Sequence, residues 1–229
     1  MGSPRTDVTR DGSPVDVYRR LPSLGEPELV SAALPPRSAI LELGCGAGRM
    51  THRLLELGHA VTAVDESPAM LAHVRGAETV EADIRRVDLG RRFPAVLLAS
   101  HFVNTPDPEE RSALLGVCAR HVTDDGSVLA ESYPPDYDWD AAVGRLRRHG
   151  AVTILVTAAH RVGDRVAATI DYEVGGTRFR QDFEAEMLDE GALRESLSRA
   201  GLRFARWLDR ERGWLEARRA GTSAAPPAA

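Results

Sequence analysis

The 229-residue chain contains no lysine: its 29 basic residues are all arginine. A Schiff-base or pyridoxal-phosphate enzyme needs a lysine amine, and a Walker-type loop needs its lysine on the phosphates, so both are excluded. The abundant Ala, Gly and Pro fit a GC-rich coding bias as the origin of this composition. Cysteine is scarce as well. Cys45 and Cys118 lie far apart with no C-x-x-C spacing, which argues against a disulfide scaffold and a zinc site, and no metal is expected. No stretch approaches the roughly 18 apolar residues of a membrane span, and the polar segment Met1 to Pro14 has no signal-like apolar core. The expectation is a cytoplasmic protein with no membrane partner. Excess positive charge is missing too: the formal net charge of -5 speaks against a general nucleic-acid binder. The local basic run Arg145, Arg147 and Arg148 reads as a solvated helix face.

What is present is enough apolar residue, 43%, for one core. A flexible N-terminus (1–15) and a disordered tail (220–229) are expected to flank one folded unit, 16–219. Its first half alternates short apolar runs with amphipathic stretches, the pattern of a doubly wound, mainly parallel α/β sheet. Strands are expected at Ala39 to Leu43, Ala60 to Val64, Thr79 to Ala82, Ala95 to Ala99 and Ser127 to Glu131. Helices follow at about Arg49 to Leu57, after the Ser67-Pro68 cap, and from Asp107-Pro108 to about His121. Ala151 to His160, Arg165 to Val174 and Thr177 to Met187, joined at Gly163-Asp164 and Gly175-Gly176, form an expected antiparallel meander. It is an insertion of about residues 140–187 that would cap the substrate side. A helix (about Asp189 to Ala200) and two strands close the unit.

The chemistry concentrates at Glu42-Leu43-Gly44-Cys45-Gly46-Ala47-Gly48, between the first strand and its helix. Glycines there let backbone approach a ligand, and the helix start behind them favours negative charge. Asp65 ends the next strand, where a carboxylate can accept from ribose hydroxyls. Together they indicate an adenosine-containing cofactor. A dinucleotide fingerprint would carry glycine or alanine where Arg49 stands.

The G-x-G-x-G run after an acidic residue resembles the first motif of the class I S-adenosylmethionine-dependent methyltransferases, whose fold is Rossmann-like. Asp65-Glu66-Ser67-Pro68 with Met70-Leu71, and Glu81-Ala82-Asp83-Ile84, resemble that family's next two segments. The likeness spans about Tyr18 to Glu131. It implies S-adenosylmethionine as cofactor and S-adenosylhomocysteine as product. It implies cofactor contacts from Glu42, Gly44, Cys45, Gly46, Gly48, Glu66, Ile84 and Ser100, with Asp65 on the ribose, Met70 beside the adenine and Asp83 on its amine. Tyr18 would close over the amino-acid end, whose carboxylate Arg49 would meet.

Methyl transfer is displacement by a lone pair, so positioning can supply about 7–11 kcal/mol while a base manages one proton. Holding an α-amine neutral at pH 7 costs only about 1 kcal/mol, against roughly 4–5 for a lysine-like amine. His101, just past the fourth strand, is the leading catalytic candidate, with Glu131 and Tyr133 beyond the fifth. Phe102, Asn104, Tyr137 and Trp139 are the substrate-side candidates. The N/D-P-P-Y/F motif of DNA and glutamine methyltransferases is missing, as are the aspartates of metal-assisted catechol methylation. The block Leu98 to Arg111 resembles actinobacterial natural-product enzymes, some of which methylate peptide amino termini. The implied reaction is methylation of an amine, or secondarily a hydroxyl, on a small molecule or short peptide, by a monomer or homodimer.

Overall fold

The computed structural model describes residues 8–10 and 12–221. The tail from 222 onward, and residues 1–7 and 11 of the N-terminal segment, lie outside the described residues. The rest of that segment folds back on itself through Thr9 and Ser13 into helix α1 (Val15–Tyr18), and α2 (Glu26–Ala32) follows. Neither helix is foreseen in the sequence; Pro14 immediately precedes α1 and Pro27 lies in the first turn of α2. Both prolines stand at helix starts, where a missing N–H costs nothing.

β1 (Ala39–Leu43), α3 (Arg49–Glu56), β2 (Ala60–Asp65), α4 (Pro68–Leu71), β3 (Glu78–Glu81), β4 (Phe93–Leu98), α5 (Pro108–His121) and β5 (Val122–Glu131) alternate as the pattern predicts. Ser67 and Asp107 cap α4 and α5 by accepting from Met70 N and Glu109 N. β5 begins at Val122 instead of Ser127. Asp124-Asp125-Gly126, a turn-type sequence, is drawn into the strand through a register shift against β4. Gly126 is required there, because a Cβ would lie 2.7 Å from Pro94 O.

α6 (Trp139–Ala142) leads into an inserted antiparallel sheet of β6 (Leu146–His149), β7 (Val152–Val162), β8 (Arg165–Val174) and β9 (Thr177–Glu186). The helix expected at Arg145 to Arg148 is therefore a strand. Gly144 and Gly150 bracket it at φ 75° and 58°, so no helix can run through, and pairing with β7 takes its backbone groups. α7 (Glu190–Arg199), β10 (Leu202–Trp207) and β11 (Trp214–Arg219) complete the chain.

The main sheet runs β10–β11–β5–β4–β1–β2–β3, with β1 to β5 parallel. Ile40, Leu41 and Leu43 of β1 are completely buried, as a central strand covered on both faces requires. Strand order reverses between β1 and β4, which opens a crevice at their carboxyl ends. No helix among the described residues is long and apolar enough to cross a membrane.

Candidate active site

The glycine loop leaves β1 at this crevice. Gly44, Gly46 and Gly48 all have positive φ (73°, 54° and 87°), and the amides of Gly44 and Cys45 donate to Val64 O at the end of β2. Asp65 fastens the loop: Oδ2 accepts from Gly46 N at 2.8 Å and Oδ1 from Ser67 N at 2.9 Å. A Cβ on Gly44 would fall 2.4 Å from the Phe102 ring. Gly44→Ala is expected to displace that ring and cost about 1–3 kcal/mol, read as a lowered denaturant midpoint; an unchanged midpoint would contradict this packing.

Glu42 lies beneath the loop, 2% exposed, and accepts from Thr51 Oγ1 at 2.6 Å. Burial pushes its carboxyl up to about 7, with the Thr51 bond and the Arg49 charge opposing the shift. The folded state therefore holds this proton more tightly than the unfolded chain. The stabilisation is complete below about pH 4.5 and lost as pH climbs through about 7. Glu42→Gln is expected to be more stable than wild type at pH 8, by about 1–3 kcal/mol, with the gap closing toward pH 5. A difference in Tm that ignores pH would contradict the assignment.

The adenine-side candidates form one ionic cluster. Asp83 accepts from Arg85 Nε at 2.7 Å and Nη2 at 2.9 Å, which holds its carboxyl below the ordinary range. Arg85 reaches Glu66 at 3.5 Å, and Arg10 approaches Glu66 from the N-terminal segment at 3.7 Å. Ile84 packs against the core near Gly44. Met70, Ala47 and Val15 form a small buried cluster that lays α1 over the loop. Tyr18, at the end of α1, points its hydroxyl toward Gln181 Oε1 at 3.4 Å, while Arg49 pairs with Glu26 at 2.5 Å. Cys45 is buried, and burial pushes its thiol up.

The opposite wall is built from the ends of β4 and β5. Ser100 and His101 both adopt φ 57°, a left-handed pair that non-glycine residues hold only when their surroundings impose it. Glu131 imposes it: Oε2 accepts from Ser100 N at 2.6 Å and Oε1 lies 3.7 Å from His101 Nε2. The imidazole stacks on Tyr133, centroids 3.8 Å apart and planes 18° apart. His101 Nδ1 is buried with no hydrogen-bond partner among the described residues. Burial lowers the imidazole's pKa, partly offset by Glu131, and raises that of the Tyr133 hydroxyl.

Tyr133, Tyr137 and Trp139 make an edge-to-face group, with Trp139 joined to Phe183 of the inserted sheet. Tyr172 and Phe179 lie apart from these rings and pack on Val17 beneath α1. Asn104 is 1% exposed and doubly engaged: Nδ2 donates to Glu186 O at 2.8 Å and Oδ1 accepts from Tyr133 N at 3.0 Å. In this state its amide ties the β4 loop to β5 and to the end of β9. Gln181 was not foreseen as part of the site. It accepts from Tyr18 and Tyr172 and donates to Ser13, latching the N-terminal segment to the inserted sheet. Only the β8–β9 register places it there, so no local motif marks it. Among the described residues, no group of three or more His, Cys, Asp or Glu is placed to hold a metal.

Residues 40–126 match the family model of the methyltransferase domain. These residues carry a methyltransferase domain. Over 103 residues it is 33% identical to the cypemycin N-terminal methyltransferase of a Streptomyces sp, a match covering 42% of each chain, so it spans less than half of that relative. Over 190 residues it is 28% identical to the dTDP-3-amino-3,4,6-trideoxy-alpha-D-glucopyranose N,N-dimethyltransferase of Streptomyces venezuelae, covering 77% of this chain and 80% of that one. The solved structure of S-adenosylmethionine-bound CalS10, an amino pentose methyltransferase from Micromonospora echinaspora, is similar at a TM-score of 0.67 and 24% identity, covering 85% of this chain and 90% of that one. S-adenosylmethionine is the cofactor that the sequence motifs imply, and S-adenosylmethionine-bound CalS10 shares the fold. The glycine cradle fits it, with a buried carboxylate beneath and Asp65 at its edge.

Proposed function

We propose that this methyltransferase acts on an amine nitrogen of a small molecule or short peptide in natural-product biosynthesis. The observation that carries the reading is His101: a strained, clamped imidazole with a buried Nδ1 that has no partner among the described residues, at the mouth of the cofactor crevice. Two relatives named for N-methylation, one of a peptide terminus and one of an amino sugar, support the acceptor type.

The cofactor, when bound, supplies a methyl group on a sulfonium sulfur. On this reading Asp65 takes the ribose hydroxyls, and Gly44, Cys45, Gly46 and Gly48 admit the cofactor's backbone-side contacts. Glu42, Arg49 and Tyr18 surround its amino-acid end; Glu66, Met70, Asp83 and Ile84 surround its adenine, and Ser100 closes the β4 side. Glu131 opposite Nε2 favours the tautomer protonated there, leaving the Nδ1 lone pair to accept a proton from the acceptor ammonium. Tyr133 keeps its proton and serves as the stacking floor of that ring. Phe102, Tyr137 and Trp139 exclude water around the acceptor, and Asn104 holds Tyr133 in place.

Fragmentation mass spectrometry of reaction products from a mixed amine and alcohol panel tests this. The methyl is expected on nitrogen; a methyl found on oxygen in every product would overturn the reading.

A further inference from the structure

The basic run on β6 has a place in the fold that its sequence did not suggest. Directly paired residues of antiparallel strands share a face. Arg147 pairs with Ile154, Ile154 with Tyr172, and Tyr172 with Phe179. That face packs on Val17, Tyr18 and Leu21, so Arg147 belongs to the inner side of the inserted sheet, while Arg148, paired with Thr153, belongs to the outer side. The guanidinium of Arg147 donates to Tyr137 Oη at 3.3 Å, and Tyr137 continues through Trp139 and Tyr133 to His101. One end of this row of rings is thus the proposed base and the other is an exposed cation.

Several guanidiniums around the crevice face a carboxylate: Arg10 faces Glu66, Arg49 Glu26, Arg85 Asp83, Arg111 Glu186 and Arg212 Asp136. Arg147 has no such ion pair among the described residues, in a chain whose acidic residues outnumber its basic ones. A guanidinium offers a planar fork that matches a phosphate or carboxylate, and its one neutral partner here leaves most of that fork open.

We propose that Arg147 is the anion-reading end of the acceptor site, so that the acceptor carries a phosphate or carboxylate on the side away from its reacting amine. This rests on the assignment of the aromatic row to the acceptor. The charge would fix which end of the acceptor enters toward His101.

The test is calorimetric titration of S-adenosylhomocysteine-loaded protein with inorganic pyrophosphate and, separately, with succinate. Wild type is expected to bind at least one of them saturably, and the preferred probe tells phosphate from carboxylate. R147Q is expected to weaken that binding on the order of 10- to 100-fold, R147K to retain part of it, and R148Q, on the outer face, to match wild type. Absence of saturable binding to wild type, or equal binding by R147Q and wild type, would overturn the proposal. Arg147 is exposed, so unchanged thermal unfolding should accompany the loss. The titration needs no turnover: Arg147-dependent binding together with methyl transfer to oxygen would sink the amine reading and leave this one standing.

Discussion

His101→Ala is expected to lower kcat by about 100-fold or more while the affinity for S-adenosylhomocysteine changes by less than about twofold. The residue stands on the β4 side of the crevice, and the contacts that fasten the glycine loop come from Asp65 and Val64 instead. Its ring is held by the Tyr133 stack and by Glu131, so the alanine variant removes no support of the glycine loop. Burial keeps the imidazole neutral to lower pH than a free one. Protonation would fill the Nδ1 lone pair, so the wild-type rate is expected to persist to lower pH than an unperturbed imidazole base would allow, and to decline only below that. Stopped assays at fixed saturating cofactor read both effects. Full activity in the variant would remove His101 from the reaction, and a decline beginning well above pH 7 would contradict the direction of its shift.

Asp65→Ala is expected to weaken S-adenosylhomocysteine binding on the order of 100-fold or more. Two charge-assisted bonds, to Gly46 N and Ser67 N, hold the loop and the start of α4, and each such bond contributes about 1.5–3 kcal/mol. Without them Gly46 has no anchor for its left-handed conformation, and the acceptor for ribose hydroxyls is gone as well. Calorimetry checks the number. Asp65→Asn, which keeps the shape and one acceptor oxygen, should fall between wild type and alanine; equal affinity in all three proteins would show that the loop is held by other means.

The parallel half of the fold was legible because each unit carries its own signals. Buried apolar runs mark the strands, Ser67-Pro68 and Asp107-Pro108 mark helix starts, and glycines stand where backbone must turn left-handed. The glycine loop and the acids near it were legible as a cluster for the same reason: their positions follow from strand ends. Features set by long-range pairing were not. Arg145 to Arg148 read as a helix face because local composition is silent about β7, which pairs with it. Gln181 reaches Ser13 and Tyr18 across more than 160 residues, and Asn104 reaches Glu186 across 82. Both ends of the Asn104 amide are taken by backbone groups of elements far away in sequence, which its place after β4 does not announce. Tyr172 and Phe179 belong to the core of the inserted sheet, where strand register turns them onto α1.

The central claim, methyl transfer to an amine with His101 as the base, is tested most directly by one matched-pair rate measurement. Wild-type protein is given methyl-labelled S-adenosylmethionine with amine acceptors and, in parallel, with the same compounds N-acetylated. The account predicts label in at least one free amine and none in its acetylated twin. Equal labelling of the two members of each pair would contradict it.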